Sequence, residues 1–323
     1  MKLTLQQSNK IQIARGLAII AVVFIHNTPT GLAQVFCRPF LNFCVGLFLF
    51  ISGFMSTASN WNPKKRIIKV LIPYILWTLI YSIMNTINNP ANIPIVFLKN
   101  IITTNASAAM YYIFVYCTFT LIIPLIDKLA KSRYKYLGFI IAPIEIVIMR
   151  LIPSVIGMTI HPYIQIIMKV SCLGWFTYFY LGYLIGNNLI SVNISQKKLY
   201  IFWSISIIAQ ICEGLFYHIQ GDANAGTQLK LTSLLAGVLF CLVIYHYIIS
   251  DSYKNIKVLK LLGDNSFGIY FSHIAVMTVL SRIPFYSTIV PYPINAMIVI
   301  SLNIICIYIG KKILGKYSKY LAL

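Results

Sequence analysis

The chain has 323 residues, of which 59% are hydrophobic and only 10% charged, with a formal charge of +20 at neutral pH. A soluble domain carries about 25% charged residues, so the composition, with its mean hydropathy of +0.81, excludes a water-soluble enzyme and indicates an all-α integral membrane protein. The basic residues lie in short clusters between apolar runs, the pattern of loops facing anionic lipid, which excludes a nucleic-acid groove.

Runs of spanning length predict about ten membrane helices. The first, about 11–31, contains Arg15, is too long for a signal-peptide core and lacks an A-x-A-like cleavage site, so it is expected to persist as a membrane helix. The next lie at about 36–57, 67–88, 110–127 and 136–155. Between the third and fourth, NNPANIP followed by IVFLKNIITT reads as a turn and a short helix on the membrane surface. Residues 151–166, with Pro153, Gly157, His161 and Pro162, form a second loop able to act as a lid. The remaining runs lie at about 167–187, 199–219, 230–250, 261–281 and 290–310, and Gly263–Ser266 interrupts the start of the ninth. Pro73, Pro124 and Pro143 fall in or near spans, where kinks are tolerated beside a cavity. The seven cysteines show no CxxC spacing and suit buried apolar positions better than disulfides or a metal site.

With the N-terminus placed in the cytoplasm, all but six of the 26 Lys and Arg residues fall on inner loops, the exceptions being Arg38, Lys99, Arg150, Lys169, Lys230 and Arg282. This positive-inside bias puts both termini in the cytoplasm. No further hydrophilic region is long enough to fold separately, so residues 1–323 read as a single polytopic domain with no appended soluble domain.

Arg15 and His26 stand eleven residues apart in IQIARGLAIIAVVFIH. That is about three helical turns, so both leave the same face, separated by roughly 16 Å, half the hydrocarbon thickness. If Arg15 lies at one interface, His26 lies near the midplane, where ionisable groups face a bundle interior or cavity more often than lipid. A snorkelling Arg and a His bonded to a backbone carbonyl satisfy the same pattern. Arg66 and Lys69, three apart at the start of the third span, meet on one helix face and suit either phosphate binding or simple anchoring.

RGLAIIAVVFIH resembles the first-helix signature of the membrane acyltransferase 3 family, Arg followed after ten residues by His. LFLFISGFM, PKKRIIKVLIPYILW, YYIFVYCTFTLIIPLI and LGDNSFGIYFSHIAV resemble, in order, its second, third, fourth and a late helix. Two features depart from the pattern. Lys69 stands where the family often has a second Arg, and Tyr111-Tyr112 stands where a His and Trp are common.

The resemblance implies transfer of an acyl group, usually acetyl, from acyl-CoA (acetyl-CoA) to a hydroxyl of a cell-surface or exported glycan or glycolipid, at the plasma (inner) membrane and without a metal. It implies His26 as the catalytic residue, as general base or transient acyl carrier, and Arg15, Arg66 and Lys69 as the phosphate site for the donor. His273, at a depth similar to His26, and Glu145, Glu213 and Ser52 are weaker candidates for acceptor contacts, each with a structural alternative in helix packing or interhelical hydrogen bonds. For His161, His218 and His246 the structural alternative is preferred. The competing reading is a translocator of glycan or lipid-linked intermediates sharing the fold. An acyltransferase acting on a small-molecule amine also fits the residues.

Overall fold

The computed structural model describes residues 3–158, 164, 167, 170–252 and 254–323, and among these every regular element is helical. Eight helical segments among them are long and apolar enough to cross a membrane. His161 and Pro162 of the expected lid, together with Lys2 and Lys169, lie outside the described residues.

Helix α1 (Leu5–Asn27) begins more than a turn before its apolar run. Two local features extend it. Thr4 Oγ1 accepts the Gln7 N–H while Gln7 Oε1 accepts the Thr4 N–H, satisfying two orphan donors reciprocally. Lys10, fully buried, donates its ammonium to the Ser250 carbonyl at 2.5 Å and lies over the Tyr247 ring. Residues buried along α1 include Lys10, Ile11, Ile13, Ala14, Gly16, Ala18, Ile19, Ala21, Val22, Val23 and Ile25, which occupy every side of the helix wheel. Such a helix is surrounded by protein.

The second span is not one helix. It runs as α2 (Leu32–Cys37), a 3-10 turn over Arg38–Phe40, and α3 (Phe43–Phe54). Pro39 brings no N–H to the ladder. The Pro39 carbonyl at this break accepts from Gln210 at 3.3 Å. Helices α4 (Pro63–Asn85), α5 (Ile93–Thr103) and α6 (Tyr111–Lys131) follow. The expected short helix is α5, which exposes Ile95, Leu98 and Ile102 on one stripe and turns Asn100 inward onto Ser82. The fifth span, 135–156, passes from a 3-10 segment into α7 (Ile141–Ile146), a π turn over Val147–Leu151 and α8 (Ile152–Ile156).

The remaining elements are α9 (Phe176–Gly186), α10 (Gln196–Ile219), α11 (Leu231–Ile249), α12 (Lys257–Asp264), α13 (Ser266–Leu280) and α14 (Ile294–Leu314). The ninth run is therefore divided. The Asn265 side chain donates to the Leu261 carbonyl and closes α12, and α13, at 15 residues, is shorter than the eight spanning segments, as is α9 at 11. Helix α1 packs against α3, α11, α12, α13 and α14. Its contact with α12 is close because both helices present glycine. A Cβ on Gly16 would lie 1.9 Å from the Leu259 carbonyl oxygen, and one on Gly263 1.8 Å from that of Gln12.

One end of the bundle carries both termini. Gln6 reaches the Asp251 carbonyl, Lys135 that of Leu189, and Lys311 the Asn265 side chain. Gly16→Val should therefore push α12 from α1, at a cost of about 1–3 kcal/mol or more. A lowered melting temperature in detergent is the expected result, and an unchanged one would show that the crossing yields freely.

Candidate functional site

At the end away from the termini, a cavity of about 950 Å³ penetrates the bundle to His26. The last turns of α1 bring Val22, Ile25 and His26 to its wall, and the break between α2 and α3 brings Arg38 and Asn42. Asn42 is held by a buried network. Its amide donates to Gln210 Oε1 at 3.0 Å and to the Gly226 carbonyl at 3.3 Å, and Ser233 donates to the same Gln210 oxygen. The π turn brings Arg150, which pairs with Asp222 at 2.7 Å, donates to the Asn224 carbonyl and stacks over the Tyr217 ring. A π turn adds a residue to the helical register and is frequent at functional sites. Glu145, one helix turn earlier, also lines the cavity and lies against Gly174 and Ser171.

His26 does not stand alone. Its ring centroid lies 5.2 Å from that of His273, which α13 carries in complete burial. Nδ1 of His273 is 3.0 Å from the Ile269 carbonyl and 2.8 Å from that of Tyr270. A carbonyl only accepts, so a neutral His273 carries its proton on Nδ1 and offers Nε2 as an acceptor. The turn is fixed from outside as well. The Tyr81 hydroxyl donates to the Phe271 carbonyl at 2.7 Å and accepts from the Ala275 N–H at 3.0 Å, so it sits within an i to i+4 step of the helix.

Arg15, Arg66 and Lys69, the cations expected to form a phosphate site, gather at the other end. Arg15 Nη2 approaches Met55 Sδ at 3.7 Å, and Arg66 Nη1 donates to Ser56 Oγ at 2.9 Å, so two cations from α1 and α4 meet at the same short turn after α3. Arg66 and Lys69 line a groove of about 550 Å³ with Trp61 and Lys65. The structure thus brings Arg15, Arg66 and Lys69 to one end and His26 to the cavity wall, with His273 fully buried beside it.

Tyr112 connects the two regions. It lines the cavity, lies within electrostatic reach of Arg15, and has its hydroxyl near Ser52. Its ring packs 5.5 Å from Tyr270 and 6.4 Å from Phe48, which also line the cavity. An aromatic cluster therefore separates the basic end from the cavity. Ser52 belongs to this partition rather than to the cavity wall.

Glu213 is placed elsewhere. Its carboxylate accepts from the N–H groups of Leu231 and Thr232 and from the Thr232 hydroxyl, capping the start of α11. Among the described residues no group of three or more His, Cys, Asp or Glu is placed to hold a metal ion. Sequence reasoning counted Arg38 and Arg150 only as loop charges. Pro39 beside Arg38 was the available signal for the first, whereas nothing in the hydropathy marks the π turn that positions the second.

The family model described as an acyltransferase domain matches residues 8–311. No curated protein and no solved structure matches the chain. The matched segment contains every cavity and basic-end residue named above. The Arg150–Asp222 pair ties the fifth span to the loop after α10 across the cavity mouth, and breaking a partly buried charged contact costs about 1–3 kcal/mol. Arg150→Met should lower the melting temperature and speed proteolysis within 220–229, and equal proteolysis of variant and wild type would show that the pair holds nothing.

Proposed function

Because the chain belongs to the acyltransferase 3 family, we propose that this acyltransferase moves an acyl group, usually acetyl in similar proteins, from cytoplasmic acyl-CoA to a hydroxyl of a cell-surface or exported glycan. The observation that carries this reading is the position of His26. It stands at the inner wall of a cavity, beside a histidine with a free acceptor nitrogen, and roughly 16 Å along the same helix from Arg15. A flexible pantetheine arm is of that scale.

In this reading Arg15, Arg66 and Lys69 hold the donor's phosphates at the cytoplasmic surface, and the thioester reaches inward past Tyr112. The glycan enters the cavity from the opposite side. His273 Nε2, buried without a partner and with its ring centroid 5.2 Å from that of His26, is available to accept the N–H of one His26 nitrogen, which leaves the other as the base. As the acceptor hydroxyl oxygen attacks the thioester carbonyl, His26 takes its proton. The tetrahedral intermediate then collapses, the C–S bond breaks, and the thiolate leaves with that proton as free CoA. His273 is a positioning residue here, since it acts through His26. The aromatic partition supports transfer over translocation, because only an acyl group on a thin arm has to pass it, whereas a translocator needs a continuous polar path.

General base help is worth about 10²–10⁴-fold in rate. His26→Gln, which hydrogen-bonds but is no base near neutral pH, should lower acetyl transfer from acetyl-CoA to surface polysaccharide by about that factor when product is measured by mass spectrometry. Normal acylation with Gln would remove His26 from the chemistry. Arg15→Ala should weaken acetyl-CoA binding with a salt-dependent component, read by calorimetry on protein in nanodiscs. Unchanged binding in Arg15→Ala, Arg66→Ala and Lys69→Ala alike would displace the donor site.

A further inference from the structure

The cavity holds a cation that the transfer step does not use. Arg38 sits in the 3-10 turn before α3, lines the cavity, and lies within electrostatic reach of His26. It has no carboxylate partner. Asp222 is taken by Arg150, and Glu145 lies against Gly174 and Ser171 and makes no ion pair with Arg38. The other carboxylates of the chain are Asp127, Glu213, Asp251 and Asp264, and none pairs with Arg38. Among the described residues its one side-chain hydrogen bond runs from Nη2 to the Ile25 carbonyl at 3.5 Å, the long limit of such a bond, and its Nε is buried without a partner.

Arg38 is half-buried on the wall of an open cavity, so water reaches part of its guanidinium, but no protein anion meets it and an anionic ligand there gains a charge-assisted contact. The planar fork of an Arg matches a carboxylate or a phosphate bidentately. We propose that Arg38 is the recognition site for an anionic group on the acceptor, so that the glycan acylated here is acidic, bearing a carboxylate or phosphate close to the hydroxyl that reacts. The inference rests on the acyl-transfer reading for that hydroxyl. It follows from where Arg38 lies, on the same cavity wall as His26, so an acceptor docked by its anion presents neighbouring hydroxyls to the histidine. An anion there also screens His26 from Arg38. Unscreened, Arg38 opposes the positive charge that His26 acquires on taking the proton, whereas a bound anion removes that opposition. The remaining polar groups suit the body of a sugar. Asn42 Oδ1 and Gln228 Oε1 are buried acceptors without partners, and both residues line the cavity.

Binding of simple sugars to the protein in nanodiscs, without acyl-CoA, tests this. The probes are methyl glucuronide for the carboxylate, glucose-1-phosphate for the phosphate and methyl glucoside as the neutral reference. At least one acidic sugar should bind about tenfold or more tightly than methyl glucoside, with a preference that shrinks as salt rises. Which acidic sugar it is tells carboxylate from phosphate. Arg38→Gln should reduce the preference to near unity, and Arg38→Lys should keep part of it. Equal binding of all three sugars, no binding by any of them at millimolar concentration, or a preference that survives in folded Arg38→Gln would overturn the inference. Because no donor is present, such a failure leaves the His26→Gln result standing, and loss of the catalytic assignment leaves this binding result standing in turn.

Discussion

A helix that carries an arginine and a histidine through hydrocarbon has to be surrounded by protein, and the rest of this structure follows from that constraint on α1. Its neighbours on every side are other helices of the bundle, and the closest of them reaches it through Gly16 and Gly263. Buried side chains on all faces of α1 keep lipid away from Arg15 and His26. The same enclosure lets Lys10, in the first turns of α1, be fully buried while donating to Ser250.

Enclosure by itself would give a solid bundle. The cavity is opened by irregular backbone at two places, the 3-10 turn at Arg38–Phe40 and the π turn at Val147–Leu151. Non-helical backbone at membrane depth is tolerated where it is buried or lines a cavity. Here both conditions hold, because Gln210 satisfies the Pro39 carbonyl and both turns contribute an arginine to the cavity wall. The two arginines differ in a way that assigns them different work. Arg150 is committed to Asp222 and to the Tyr217 ring, and Arg38 has no counter-ion. One holds the mouth of the cavity together, and the other is open to a ligand. At the far end, Arg15 and Arg66 converge on Met55 and Ser56, with Tyr112 between them and the cavity.

Eight of the ten expected spans were legible in the sequence because bilayer thickness imposes a length on each apolar run, whereas the runs at 167–187 and 261–281 hold regular helices of only 11 and 15 residues among the described residues. The boundaries were less so. The start of α1 depends on a capping box and on a carbonyl at Ser250 that lies 240 residues away. The ninth run looks continuous in hydropathy, yet Asn265 bonds back to Leu261 and divides it. The juxtaposition of His26 with the late histidine was readable as a similarity of depth, though the contact itself depends on how α1 and α13 pack. Glu213 stood out as a carboxylate inside an apolar run, but its partners on Leu231 and Thr232 are set by tertiary structure. Arg38 was hidden for the opposite reason. A charge at the edge of a span reads as loop, and only the folded chain shows it turned into the cavity.

The central claim is that donor phosphates and reacting thioester occupy opposite ends of the Arg15–His26 interval. A structure of the protein with a non-hydrolysable acyl-CoA analogue tests it most directly. Nucleotide phosphates should lie against Arg15 and Arg66 and the carbonyl that replaces the thioester within hydrogen-bond reach of His26, with the arm passing Tyr112. Phosphates seated instead on Arg38 and Arg150, with the acyl end away from His26, would contradict it.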